Sequence, residues 1–512
     1  MHPEAGHDTG PRQRRAAWVL GALVVLAFAL RFWRLGDWSF DSDEIFMRRD
    51  SLHPKLTNPR PLLYFINHYF VASWRPLNEL GIRLLPALFG VLAVPAFYWV
   101  ARRLLGTRTA LLATLLVTVS PGLIIYSQFG RYWSLVFLLS AVYPYALYLG
   151  VRERDRRAMA VGVVAGVLAA LAHPSAVLLV GGPALWFLVT FLRGRNLRQL
   201  WTQRRVRWGT YIAAALLVVI VMRFIPILQG WISEHDANPG SGQFLLRPSA
   251  PPGVKQLYYL LAFARDLAPS VMLIAVVGIY LLWQRDRFLA MFLLSLALFP
   301  LLFLMSIMSR TPVSTYYLLP TAPAYFLAAG VFLERVAQVD WRLRARWLVP
   351  ATVVILVLIP DAPTVVSQYL NGRRYDFKAV GHWLKPRLTS SDVIYSDQPV
   401  ALAYYLPRAR VERLRFNTAP LEASLRQFRD SDPSAALWIV VPAPAHAFRP
   451  SLKQGGLAAW MYGNCQLRNS LGAGRLDFRQ QYLEVFRCPP ASSARTADGQ
   501  LRPPVADSTS SG

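Results

Sequence analysis

Residues 81–104 read GIRLLPALFGVLAVPAFYWVARRL, an apolar run closed by the pair Arg102-Arg103. A helix needs roughly 20 apolar residues to cross the hydrocarbon core of a bilayer, and this stretch supplies them. Working outward, the same design recurs at 16–34, 108–127, 131–150, 157–173, 174–192, 208–229, 266–284, 288–308, 316–337 and 346–362. The chain therefore reads as an all-α polytopic membrane domain of about eleven spanning helices. His173-Pro174 divides the continuous apolar stretch 157–192, because the residue before a proline avoids helical backbone.

Composition agrees. Of 512 residues, 54% are hydrophobic and only 16% charged, which is too little charge for a soluble chain of this length. The net charge of +27 resembles a nucleic-acid signal. The arginines, however, sit in short clusters between apolar runs: Arg102, Arg103 and Arg108; Arg152, Arg154, Arg156 and Arg157; the stretch 193–207; Arg285 and Arg287; Arg342, Arg344 and Arg346. Basic loops at every second turn follow the positive-inside rule and exclude nucleic acid as the partner. They place residues 1–15 in the cytoplasm, and an odd number of spans sends the C-terminal part outside. Residues 16–32 resemble a signal peptide, but the apolar run continues into Phe32 and Trp33 without a small-residue cleavage site, so an uncleaved first helix is expected.

Two loops on the outer side are long: residues 35–80, and a Gly-, Pro- and Ser-rich segment near 230–265. Residues 16–362 form the membrane domain. Residues 363–490 change character and read as a small α/β extracytoplasmic domain. It has a helix at 376–388, short buried strands at 392–396 and 436–441, a helix at 420–429 between them, and a strand ending at Cys488. Residues 491–512 read as a disordered tail. Neither a solenoid-type repeat nor the paired halves of a transporter are visible.

The sharpest constellation follows the first span: Trp38-Ser39-Phe40-Asp41-Ser42-Asp43-Glu44, with three carboxylates in four residues. A capping box accounts for Asp41 and Glu44. It leaves Asp43, a carboxylate at a membrane surface beside aromatics, free to accept a proton from a sugar hydroxyl. In the same loop, Asn58-Pro59-Arg60-Pro61-Leu62-Leu63-Tyr64 puts a guanidinium near the interface, either to pair with a phosphate or to snorkel to water. Tyr126-Ser127-Gln128-Phe129-Gly130-Arg131-Tyr132-Trp133 puts another among aromatics, suited to a lipid-linked anion or to a plain aromatic belt. His173 ends a helix and either touches substrate or bonds to backbone. Arg223 lies within an apolar run and Arg310 at an outer turn. Tyr316 and Tyr317 fit an aromatic belt.

The order of these pieces strongly resembles the GT-C superfamily of membrane glycosyltransferases. It comprises Asp43-Glu44 after the first span, Pro61-x-Leu63-Tyr64, Arg83-Leu84-Leu85-Pro86-Ala87-Leu88-Phe89-Gly90, the Arg102-Arg103 turn, and Ser120-Pro121 leading to Tyr126-Ser127-Gln128 and Arg131. The likeness is nearest to the bacterial branch related to protein O-mannosyltransferases (glycosyltransferase family 39), aminoarabinose transferases and rhizobial lipopolysaccharide galacturonosyltransferases. It is tight over about residues 30–150 and weaker through Tyr317-Leu318-Leu319-Pro320 and the Cys465–Cys488 tail. The resemblance implies a sugar donor carried on a polyprenyl phosphate, used outside the bacterial inner membrane on an envelope lipid A, glycan or protein acceptor. It implies Asp43, with Glu44, as the catalytic pair, and Arg60 and Arg131 as holders of the donor phosphate; Arg310, an arginine at an outer turn, is added to these as a further candidate phosphate contact. Asp41, Tyr64, Tyr132 and His173 are the expected substrate contacts. Two departures stand out. Phe129 occupies a position that is often acidic in the family, so if that acid is a metal ligand in relatives this chain is expected to work without the metal, a divalent metal being otherwise the possible cofactor; and Arg60 sits where a proline is usual.

The two cysteines, Cys465 and Cys488, are too few for a disulfide scaffold or a zinc site. Outside the membrane they are expected to bridge. A transporter or flippase of lipid-linked saccharides is the alternative reading, but it predicts paired charges near the bilayer midplane. A surface-polysaccharide polymerase or ligase would carry its large loop late in the chain. Here the acids come early, in an outer loop.

Overall fold

The computed structural model describes residues 10–58, 60–184, 260–265, 267–307, 314–339, 348–372, 374–414, 419–431, 435–442, 457–472 and 482–488. The expected span at 208–229, most of the second long loop, Arg223, Arg310 and the 491–512 tail lie outside these residues. The chain divides into two compact units, one comprising residues up to Trp38 and Asp43–Gly372, the other Ser39–Ser42 and the chain from Arg373 onward.

The first unit is helical. Its elements are α1 (Pro11–Phe32), α2 (Ser42–Leu52), α3 (Pro61–Ile66), α4 (Glu79–Leu105), α5 (Thr107–Val119), α6 (Pro121–Ser127), α7 (Trp133–Ser140), α8 (Tyr143–Arg152) and α9 (Arg156–Ala172). Then follow α10 (Pro269–Arg285), α11 (Arg287–Ile307), α12 (Ala322–Gln338), α13 (Leu348–Leu358) and α14 (Ala362–Asn371). By length and composition, five helical stretches among the described residues can cross a membrane, and seven if each of two bent pairs is one span. The shorter apolar helices Pro174–Ala184 and α10 add to these. This is a multi-pass membrane protein.

Prolines set the breaks. The expected span at 108–127 is two helices, α5 and α6, meeting at 56°. Ser120, ahead of Pro121, is driven to φ −58°, ψ 123° and ends α5. Pro121 has no N–H to offer the Val117 carbonyl. Arg31, buried in α1, supplies donors instead, to Val117 O at 3.2 Å and Thr118 O at 3.0 Å. A cation at a helix C-terminus also suits the helix dipole. His173 behaves likewise: extended ahead of Pro174, it separates α9 from a short 3₁₀ turn, Pro174–Val177. The long loop at 35–80 is itself largely helical, with α2, α3 and a π-turn at Asn67–Val71.

The second unit is a five-stranded sheet in the order β2-β1-β3-β5-β4, built from β1 (Val393–Ser396), β2 (Arg410–Arg413), β3 (Leu437–Pro442), β4 (Gln466–Leu471) and β5 (Leu483–Cys488). The strands β2, β1 and β3 run parallel, while β5 pairs antiparallel with β3 and β4. Around them lie α15 (Phe377–Leu384), α16 (Pro399–Tyr405), α17 (Ala419–Ser431) and α18 (Leu457–Asn464). The apolar runs of β1 and β3 are buried along their whole length, as central parallel strands covered on both faces must be. Asp392 pins the start of β1: its carboxylate accepts from Ala436 N (2.7 Å), Trp438 Nε1 (3.1 Å) and Thr389 N (3.0 Å). Cys465 and Cys488 are joined in a disulfide across β4 and β5. The unit division falls after α14, a helix that the sequence reading assigns to the smaller domain.

Candidate active site

The site is assembled in the first unit by the start of α2, the start of α3, the turn between α6 and α7, and the segment after α9. The α6–α7 turn is held from several sides. Ser127 packs its hydroxyl against Gly90 of α4 and donates to Leu123 O. Gln128 is fully buried, donates to the Trp33 carbonyl at 2.9 Å beyond the end of α1, and accepts from Gln368 of α14 at 2.8 Å. Gly130 N donates to Glu44 Oε1 at 2.6 Å. A Cβ at Gly130 would meet Ile82 Cγ2 at 2.8 Å and Glu44 Oε1 at 3.0 Å, so the position has room for glycine alone. The Ser-Gln-Phe-Gly-Arg run is thus a scaffold that delivers Arg131.

Arg131 reaches Asp43 twice, with Nη1 on the Asp43 carbonyl at 2.9 Å and Nη2 3.6 Å from the Asp43 carboxylate. The Arg131 side chain is 10% exposed, whereas that of Asp43 is 43% exposed. The carboxylate is open to an incoming group while the guanidinium behind it is fixed. Tyr132 hydroxyl accepts from both Arg131 Nη2, at 3.3 Å, and Arg60 Nη1. Both guanidinium carbons lie near its ring, at 5.1 Å and 5.3 Å from the centroid. Two cations therefore converge on one phenol. The Nε atoms of Arg60 and Arg131 are buried and lack a hydrogen-bond partner. Unsatisfied buried donors are costly, and here they leave capacity to bind an anion. Tyr64, buried on α3, lies within electrostatic reach of Arg131, Tyr132 and Arg60. Burial pushes its phenol up, so it remains a neutral hydrogen-bonding group.

His173 closes the group. Its ring stacks between Tyr132 (centroids 4.8 Å apart) and Tyr317 (5.4 Å), and Trp133 lies at 4.7 Å. Nδ1 accepts from Ser175 N at 3.1 Å. That bond caps the 3₁₀ turn and leaves the proton on Nε2, which is buried without a partner. The histidine thus bonds to backbone and also offers a donor. Trp133 meets Tyr316 at 4.5 Å, so the two tyrosines belong to this aromatic box rather than only to a belt.

Glu44 differs from its neighbour. It is fully buried in a bidentate pair with Arg83 (2.8 Å and 2.7 Å), both side chains 0% exposed. The structure gives it no open face toward a substrate, contrary to its expected place in a catalytic pair. Asp41 belongs to the second unit, in the segment Ser39–Ser42. There the Phe40 N–H donates to Tyr405 Oη at 2.7 Å and Ser42 Oγ to Gln398 Oε1 at 3.2 Å. Arg83 and the Tyr316–Tyr317 contact with Trp133 are the pieces that sequence reading left without a role. Among the described residues, no group of three or more His, Cys, Asp or Glu side chains is placed to hold a metal ion.

Residues 51–237 match the family model of dolichyl-phosphate-mannose-protein mannosyltransferase, a span that holds Arg60, Arg131, Tyr132 and His173 and begins just after Asp43 and Glu44. A search of curated proteins finds no match. Among solved structures, ArnT from Cupriavidus metallidurans aligns in its apo state and bound to undecaprenyl phosphate. Both give a TM-score of 0.54 at 15% identity, covering 93% of this chain and 98% of that one. The oligosaccharyltransferase of Archaeoglobus fulgidus, in a complex with Zn and sulfate, aligns with a TM-score of 0.51 at 15% identity over 83% of this chain and 68% of that one. The chain thus shares the fold of these membrane proteins, with a stretch at residues 51–237 that matches the mannosyltransferase family model and a small sheet domain near the C-terminus.

Proposed function

We propose that the chain is a glycosyltransferase that moves a sugar from a polyprenyl-phosphate donor to an envelope acceptor, a lipid A, glycan or protein. The reaction lies on the outer face of the bacterial inner membrane, with the N-terminus in the cytoplasm and the C-terminal domain outside. The observation that carries this reading is the half-open Asp43 carboxylate beside the buried Arg131 guanidinium, which shares the Tyr132 phenol with Arg60. The undecaprenyl phosphate bound to ArnT, a structure of the same fold, supports a lipid phosphate as the donor group.

The chemistry follows from charge. Asp43 accepts the proton of the acceptor hydroxyl as its oxygen attacks the anomeric carbon. The bond between that carbon and the phosphate oxygen breaks with inversion. The leaving phosphate gains negative charge, and the fixed guanidiniums of Arg60 and Arg131 stabilise it without reorganising. His173 Nε2–H and the surrounding rings offer one donor and flat apolar faces to the sugar. Arg310 is proposed as a third phosphate contact. A divalent metal stays open as a cofactor, and these steps use side chains alone.

The test is transfer in native membranes from radiolabelled polyprenyl-phosphate sugars to endogenous acceptors, comparing wild type with Asp43→Asn. Label entering an acceptor with wild type alone supports the reading and names the acceptor. Absence of transfer from every lipid-linked sugar, with the protein inserted and folded, favours a transporter or flippase instead.

A further inference from the structure

We infer that Glu44 is a positioning residue whose carboxylate fixes the Asp43–Arg131 pair by tethering the Gly130 amide, with Arg83 as its anchor. The inference rests on the reading of Asp43 as base. Two consecutive pairs face each other across the site, Asp43-Glu44 at the start of α2 and Gly130-Arg131 in the α6–α7 turn. Glu44 Oε1 accepts from Gly130 N at 2.6 Å, and one residue along, Arg131 Nη1 donates to the Asp43 carbonyl at 2.9 Å. The two bonds form a short ladder, so shifting the Glu44–Gly130 rung shifts the separation between base and guanidinium.

Arg83 makes the rung rigid. Its Nε and Nη2 hold both Glu44 oxygens, and its Nη1 donates to the carbonyls of Trp38 at 2.9 Å and Leu35 at 3.2 Å. One guanidinium on α4 thereby fixes α2 together with the chain that leaves α1. A buried ion pair is a poor source of net stability, because desolvation cancels most of the attraction. What this pair supplies is geometry. The Gly130 site reinforces the point, since a Cβ there would press on the same carboxylate oxygen.

The test compares two double variants, Glu44→Gln/Arg83→Met and Glu44→Leu/Arg83→Met, in purified protein. Both lack the ion pair and the Arg83 carbonyl contacts. Only the first keeps an oxygen able to accept from Gly130 N. Since a misplacement of about 1 Å can cost on the order of 100-fold, the glutamine pair should exceed the leucine pair at least about tenfold in kcat, with KM for donor similar. Equal kcat in the two pairs, with Asp43→Asn inactive, overturns the positioning role and leaves the base intact. An active Asp43→Asn overturns the base itself. Should either double variant fail to fold, Glu44→Asp replaces the comparison. The shortened carboxylate is expected to lower kcat at least about tenfold while KM stays within about threefold, and wild-type kcat would overturn the role.

Discussion

Adding a single methyl at Gly90 tests whether the α6–α7 turn is held by close contact with α4. A Cβ at Gly90 would lie 2.1 Å from Ser127 Oγ, 2.7 Å from Ser127 Cβ and 2.9 Å from Arg31 Nε. Rotating the Ser127 hydroxyl away gives no relief, because its Cβ is also too close and its Oγ is bonded to Leu123 O at 2.6 Å. Overpacking of this kind costs about 1–3 kcal/mol. Replacing a mid-helix glycine by alanine returns at most about 1 kcal/mol of helix propensity. Gly90→Ala should therefore destabilise the protein by about 1–2 kcal/mol. Gly166, on α9, is the internal control: its added Cβ would meet Tyr143 Cδ2 at 3.5 Å, an ordinary contact. Gly166→Ala should be neutral or stabilising by up to about 1 kcal/mol. Thermal unfolding in detergent, followed by tryptophan fluorescence, separates the two. The strain at Gly90 also reaches Arg131 through the turn, so Gly90→Ala should lose transfer activity while Gly166→Ala keeps it. Equal unfolding midpoints for the two variants would refute the reasoning.

Other outcomes follow from single contacts. Tyr132→Phe removes the hydroxyl that accepts from both Arg60 and Arg131. If that phenol sets the spacing of the phosphate clamp, KM for the donor should rise about tenfold, as for loss of one charge-assisted hydrogen bond. In the second unit, Asp392→Ala leaves the donors of Ala436, Trp438 and Thr389 without their shared acceptor. A loss of about 3 kcal/mol is expected, read as earlier proteolysis of the C-terminal part. Cys465→Ser with Cys488→Ser opens a loop of sequence separation 23 and should cost that unit about 3 kcal/mol. Reducing agent should mimic the double variant in wild type.

The membrane fold was legible because apolar runs and basic turns are local signals. Residues 81–104 sit within the single helix α4, as the composition of that run requires. The breaks were partly legible. The rule that split the chain at His173-Pro174 applies equally at Ser120-Pro121, yet an unbroken apolar pattern concealed the second bend. Strands β1 and β3 stood out as buried apolar runs, while β2 and β4 did not. Both are edge strands with mixed exposure, so their residues carry no apolar run. At the site, sequence spacing brought out Asp43 as the acid that capping did not explain. It could not reveal that Glu44 turns inward to Arg83, 39 positions away, since adjacent helical residues point in different directions and the partner arrives through tertiary packing. The stack of Tyr132, His173 and Tyr317 is likewise drawn from three distant segments. For His173 the sequence offered one signal, a histidine just before a proline, and that signal fits its backbone-capping bond as well as its unpartnered Nε2.

The most direct test of the central claim is stoichiometric release of polyprenyl phosphate by the purified protein in liposomes. One lipid-linked sugar and one acceptor would be supplied at a time, for wild type and Asp43→Asn. The account predicts one polyprenyl phosphate released per sugar transferred by wild type, and none above background by an Asp43→Asn protein with an unchanged unfolding midpoint. Release and transfer by Asp43→Asn at the wild-type rate would contradict it.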